Sequence, residues 1–412
     1  MLSALAGGRS TIRGFLRSED CLNTLKALAQ MGARVTVGSD CIDVLGTGGR
    51  LTAPRGALDM GNSGTGIRLM TGLLAGQPMT VELTGDASLR SRPMGRIKEP
   101  LERMGAQVEL LGATGCAPIR VTGGGLRGIE YASPVASAQV KSCVLFAGLF
   151  AAGRTTVIEP KATRDHTERL MAAAGIPVDV NGLRISIDGY GPRVPPVRAC
   201  EWMVPGDFSS AAFWLVAAAT REGASVTVRE VGLNPRRTAL LDVLRRMGAD
   251  IRVEPDSGGS AGEAMGRVTV RGGRLRGTEI GGDEIPNLID EIPILAVAGA
   301  LAEGQTVIRD AAELRIKESD RIAAMAKNLG LLGVEVEERP DGMVVKGPAR
   351  LRAGAAVESY GDHRVVMAMT VLACAADRPV RIRDIACVAT SYPGFWDDLK
   401  RMGGHAETDH RD

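Results

Sequence analysis

Six stretches of this 412-residue chain share one pattern: an amphipathic helical run that stops at a glycine and passes into a β-branched strand. They read "LNTLKALAQMGARVTV", "IKEPLERMGAQVEL", "TERLMAAAGIPVDV", "ALLDVLRRMGADIRV", "RIAAMAKNLGLLGVEVE" and "WDDLKRMGGHAE". The stops are Gly32, Gly105, Gly175, Gly248, Gly333 and Gly403, spaced by 73, 70, 73, 85 and 70 residues. A second series interleaves with the first and stops at Gly8, Gly76, Gly153, Gly223 and Gly304; its sixth member, "LACAADRPVRIRDI", carries Asp377 instead. Glycine is the expected helix stop because it accepts the left-handed backbone found there. The two series predict one α/β unit, with two helices and several strands, used six times and divided between two domains.

The helices of the second series open on "GNSGTG", "SAQVKS", "GDFSSA", "LIDEIP" and "YGDHRV", all rich in capping and small residues. If the units pack alike, these positive helix ends converge and can receive anions. In "GNSGTGIRLM", Asn62, Ser63 and Thr65 can cap, while Gly61, Gly64 and Gly66 let a ligand approach bare backbone N–H groups.

Charge is nearly balanced, with 50 Lys+Arg against 48 Asp+Glu, so bulk charge gives no support for nucleic-acid or membrane binding. Only eight of the basic residues are lysines, which makes a lysine in a polar motif informative. Seven cysteines lack paired metal-ligand spacing, and "CVLFAGLFAAG" is too short to span a bilayer. With no secretion signal in "MLSALAGGRS", the reading is a soluble cytoplasmic protein with no metal and no cofactor.

Three further motifs carry chemistry. "LRSRPMGRIKEP" holds Arg90, Arg92 and Arg96, whose planar forks suit carboxylate or phosphate. "ELRIKESDR" is expected to place Lys317, Glu318 and Arg321 within one helical turn, either as a surface ion-pair ladder or as an acid/base couple. "NLIDEIPILAVAGA" puts Asp290 and Glu291 ahead of an apolar helix, one expected to cap it and the other left for chemistry; "GDHRVVMAM" puts His363 and Arg364 at a similar start. Together they suit an enzyme that acts on small, multiply anionic substrates without a metal.

"GNSGTGIRLM", "RPMGR", "ASAQVKS", "TRDHTE", "LRIKESDR" and "GDHR", in this order, resemble the 5-enolpyruvylshikimate-3-phosphate synthase family, over residues 3 to 400 or so. The stretches "ASAQVKSCVLFAG" and "VIEPKATRDHTE" are most similar to the bacterial class that includes glyphosate-tolerant members. The resemblance implies an α/β enolpyruvyl transferase fold, an inside-out barrel of six βαβαββ units. Its two domains would span residues 1–205 and 206–412, with a hinge near "VPGDFSS" and the substrate cleft between them. It implies transfer of the enolpyruvyl group of phosphoenolpyruvate to the 5-hydroxyl of shikimate 3-phosphate, with release of phosphate, by a monomer. Carried onto this chain, Gly64, Arg92, Gln139, Arg321 and Arg364 would receive phosphoenolpyruvate. Ser137, Ala138, Gln139, Arg164, Asp290 and Lys317 would receive shikimate 3-phosphate. Asp290 would take the hydroxyl proton, and Glu318, beside Lys317, would act at the methylene carbon. Gly64 lies where some tolerant members carry alanine, so the resemblance implies a glyphosate-sensitive pocket.

Two other readings compete. The enolpyruvyl transferases acting on UDP-N-acetylglucosamine share the fold and place a reactive cysteine in an extended loop; Cys116 in "GATGCAPIRV" lacks such a loop and reads as incidental. The other is an inactive ligand-binding remnant. Its motive is the first helix, whose start would fall before Met1 if it had the length of its counterparts. The expectation is that the family's Lys-Ser pair, a nearby Arg and a preceding strand lie upstream of Met1.

Overall fold

The computed structural model describes residues 1–256, 262–352 and 354–407. Its chain forms two units. One comprises Met1–Gly206 with Gly232–Arg237 and Pro255–Met265; the other comprises Asp207–Val231, Thr238–Glu254 and Gly266–Asp412. The division is therefore not a single cut, because two segments of the fourth repeat belong to the first unit.

The second repeat shows the building block. A short strand, Leu58–Asp59, leads into the helix Gly64–Ala75 and returns as the parallel strand Thr80–Thr84. The helix Gly95–Met104 follows, and the hairpin Gln107–Leu110 and Ile119–Thr122 completes the sheet. Val81 and Val108 both pair with Val121, so β-branched residues share one buried face. The third repeat (Glu130–Ala132 to Arg184–Tyr190) and the fifth (Glu279–Ile280 to Gly342–Gly347) have the same strand order. In the first sheet the leading place, parallel to Arg9–Arg13, is taken by Glu201–Met203 from the far end of the unit.

All six glycines of the first series have positive φ, from 83° at Gly175 to 110° at Gly105. A Cβ would be strained at each of these stops, which is why the repeat was visible in the sequence. Gly76 differs: it closes its helix in right-handed geometry, at φ −80°.

Close packing aligns the helix starts in the first unit. A Cβ on Gly72 would lie 2.1 Å from the carbonyl oxygen of Cys143, so glycine lets the helices Gly64–Ala75 and Ala138–Gly148 touch backbone to backbone. In the second unit the helices Phe208–Ala219, Ile292–Leu301 and His363–Ala373 pack together and are buried nearly all round, as their continuous apolar sequences require.

Candidate active site

In the first unit, Ser63 caps the helix Gly64–Ala75 by accepting from the Gly66 N–H at 3.0 Å. Gly64 is the first helical residue and is buried. A Cβ built on it would meet Nη1 of Arg68 at 2.9 Å and Nη1 of Arg92 at 3.0 Å, so two guanidiniums pack against the bare Cα of Gly64. Arg68 donates to the Gly64 carbonyl (3.2 Å), to Oε1 of Gln139 (2.9 Å) and to the Pro93 carbonyl (3.0 Å). Arg92 is buried; it donates to Oδ1 of Asn62 at 2.5 Å and to the Ser88 hydroxyl at 3.3 Å. Asn62 is itself fixed by Asp86, which caps the next short helix.

Gln139 joins this helix start to the neighbouring one, because its amide donates to Oγ1 of Thr65 at 2.8 Å. Ser137 is the N-cap of that neighbouring helix and Ala138 its first residue. Arg164 lies in the segment between the strand Ala152–Ile158 and the helix His166–Ala173, next to the buried Thr163. The arrangement presents two helix N-termini and two arginines, a cradle for a multiply charged anion.

The second unit gathers a different set. Arg321, the first residue of the helix Arg321–Leu331, is 1% exposed and surrounded by carboxylates. It donates to Asp362 at 2.8 Å and to Glu318 at 2.5 Å, and its Nη1 stands 3.6 Å from Asp290. Burial works against its charge, but Asp362, Glu318 and Asp290 outweigh that and hold its pKa above arginine's ordinary value. Asp362 is wholly buried; the Arg321 charge overcomes its desolvation and keeps its pKa below the usual carboxylate range. Arg364 donates to the Asp290 carbonyl at 3.1 Å, and its Nε lies 3.9 Å from the Asp290 carboxylate. His363 is buried beside these charges; desolvation, then Arg364, lower its pKa from 6.5 to about 4, so it is neutral at pH 7.

Two local expectations are corrected. Lys317, Glu318 and Arg321 do not share a helical turn: Ala312–Ile316 winds as 3₁₀, Lys317 ends it, and Asp320 caps a helix that starts at Arg321. The break comes from Asp320, whose carboxylate accepts from the Ala323 N–H, and the buried Arg321 rules out a surface ladder. Nor does a carboxylate side chain cap the helix Ile292–Leu301. Glu291, almost fully buried, accepts instead from the Ser209 hydroxyl at the start of the helix Phe208–Ala219.

Three residues that the sequence did not single out belong to these clusters: Arg68, Ser319 and Asp362. Arg68 stands one turn beyond Gly64 on the same helix face, a spacing that could have revealed it. Ser319 and Asp362, bonded at 3.1 Å across 43 residues, left no local signal. Cys116 is buried, with its thiol 3.4 Å from the Ser91 carbonyl, and has no extended loop around it. Among the described residues no helix is long and apolar enough to cross a membrane, and no group of His, Cys, Asp and Glu could hold a metal ion.

A βαβαββ unit repeated through two bodies, with helix starts gathered into anion-receiving clusters, is the architecture of the enolpyruvyl transferases. The enolpyruvyl transferase NikO from Streptomyces tendae matches it with a TM-score of 0.75 at 19% identity, covering 98% of this chain and 91% of NikO. An EPSP synthase structure from Acinetobacter baumannii matches with a TM-score of 0.85 at 43% identity, covering 98% and 92%. The 3-phosphoshikimate 1-carboxyvinyltransferase of Akkermansia muciniphila is 51% identical over 411 residues, 98% of this chain and 93% of the relative. The model of the family described as EPSP synthase (3-phosphoshikimate 1-carboxyvinyltransferase) matches residues 1–399. The chain belongs to that family, and it is a transferase of the shikimate pathway.

Proposed function

We propose that this chain joins phosphoenolpyruvate to the 5-hydroxyl of shikimate 3-phosphate, and that both clusters serve that one reaction. The observation that carries the reading is the approach of the Arg68 and Arg92 guanidiniums to Gly64, at a capped helix start. A phosphate or carboxylate there meets two guanidiniums and bare backbone N–H groups.

In this reading Arg92, with Arg321 and Arg364, clamps the phosphate and carboxylate of phosphoenolpyruvate, and Gln139 touches both substrates. Ser137, Ala138, Arg164 and Lys317 hold shikimate 3-phosphate. Asp290 accepts the proton of the 5-hydroxyl as its oxygen bonds to C2 of phosphoenolpyruvate, and Glu318 delivers a proton to the methylene carbon. The resulting tetrahedral intermediate collapses when a proton leaves the new methyl group and the C2–O bond to phosphate breaks. Each step needs one group to take a proton and one to give it, and Asp290 and Glu318 both lie against Arg321. The two units then correspond to the two three-repeat domains of the fold, apart from the two segments of the fourth repeat that belong to the first unit, and the enzyme works as a cytoplasmic monomer.

Phosphate release and product mass, measured with shikimate 3-phosphate and with UDP-N-acetylglucosamine as alternative acceptors, test the proposal. Turnover is expected with the first acceptor alone. Turnover with the nucleotide sugar, or with neither, would overturn it.

A further inference from the structure

Lys141 is one of only eight lysines, and at 1% exposure it is among the most deeply buried side chains of the molecule. It lies one turn inside the helix Ala138–Gly148, beneath Ser137, Ala138 and Gln139. Its ammonium sits 3.0 Å from Oε2 of Glu159 and 2.6 Å from Oε1 of Glu168, both buried. Glu159 follows the strand Ala152–Ile158, and its other oxygen accepts from the hydroxyl of Thr163, the neighbour of Arg164. Glu168 stands in the first turn of the helix His166–Ala173.

The next residue repeats the link. Ser142 and Thr167 share a buried 2.6 Å hydrogen bond, so two consecutive residues of one helix bond two consecutive residues of the other. The network holds one cation against two carboxylates. Burial raises the pKa of Glu168, Lys141 offsets this only in part, and Oε2 of Glu168 has no hydrogen-bond partner among the described residues. Leucine or methionine would fill a purely structural position at lower desolvation cost.

We infer that Lys141, with Glu159 and Glu168, is a positioning network that fixes the spacing between the Ser137–Gln139 helix start and the segment bearing Arg164. It thereby sets the affinity for the phosphorylated acceptor. The inference rests on the assignment of Ser137 and Arg164 to shikimate 3-phosphate. A rigid link of this kind matters because two anion-binding elements must match one ligand at once.

The test is the triple variant K141M/E159Q/E168Q, which strands no buried charge and keeps an acceptor for Thr163, beside the conservative K141R. Cooperative melting checks that each folds. The triple variant should weaken shikimate 3-phosphate binding roughly tenfold or more, as loss of a supporting shell does elsewhere. The KM for phosphoenolpyruvate at saturating acceptor and kcat should stay within about threefold, and K141R should bind nearly as the parent does. E168Q alone, which retains the Lys141–Glu159 pair, serves if the triple variant does not fold, with a shift of roughly threefold in the same constant.

A folded triple variant or E168Q that binds the acceptor as the parent does would overturn the inference, as would an equal change in both KM values. Ser137→Ala and Arg164→Gln run alongside. If they leave acceptor binding intact, the site assignment has failed; if they weaken it while the network variants do not, only the positioning role has failed.

Discussion

Arg92 and Arg321 are both buried arginines, and the side chains seen to hold them differ. Arg92 donates to the amide oxygen of Asn62 and to the hydroxyl of Ser88. Arg321 is held by Asp362, Glu318 and Asp290. A carboxylate shell uses the charge of its arginine to keep acids in place, close to one another and in differing environments. In the proposed function the first cluster binds the anion and the second moves protons.

The largest expected effect is on stability. Arg321→Leu strands the wholly buried Asp362 and should cost about 3–5 kcal/mol, whereas Arg92→Leu, which breaks the bonds to Asn62 and Ser88, should cost about 1–2 kcal/mol. Chemical denaturation of both variants measures the difference; equal losses would erase the contrast. Next in size, Arg92→Gln should lower kcat/KM for phosphoenolpyruvate roughly a hundredfold, through loss of charge-assisted bonds, with most of the change in KM.

Gly64→Ala places a methyl group about 3 Å from two guanidiniums that must shift to admit it. It should raise the KM for phosphoenolpyruvate by up to about tenfold, and the inhibition constant of the longer glyphosate by considerably more. Equal effects on the two would count against a steric pocket at Gly64.

The smallest effect is a pH dependence. His363 titrates at about 4 when folded and near 6.5 when unfolded, so below 6.5 the unfolded chain binds the extra proton. Stability from this residue is complete above pH 6.5 and is lost as the pH falls toward 4. The loss should be about 1 kcal/mol between pH 6.5 and 5.5. His363→Gln should flatten that part of the stability curve, as followed by urea midpoints.

The repeat was legible because glycine alone tolerates the left-handed stops, from Gly32 to Gly403. The helix starts were legible because capping needs Ser, Asp or Asn beside small residues, as at Ser63, Ser137 and Asp207. What escaped depends on distant partners. Asp362 matters through Arg321, 41 residues away, and Glu291 is taken by Ser209, 82 residues earlier. Arg68 is legible in part, one turn beyond Gly64 on the same helix face, but its bond to Gln139 depends on the helices that touch at Gly72. Asp320 broke the expected helical turn because a cap two residues after Glu318 outcompetes a continuous helix.

The division of labour is tested most directly by Asp290→Asn, with shikimate 3-phosphate binding measured at equilibrium and turnover measured at saturating substrates on the same preparation. The account predicts a dissociation constant within about tenfold of the parent and a kcat reduced by a thousandfold or more, because the variant keeps the contacts and loses the proton acceptor. Retained turnover, or a loss of binding as large as the loss of kcat, would contradict it.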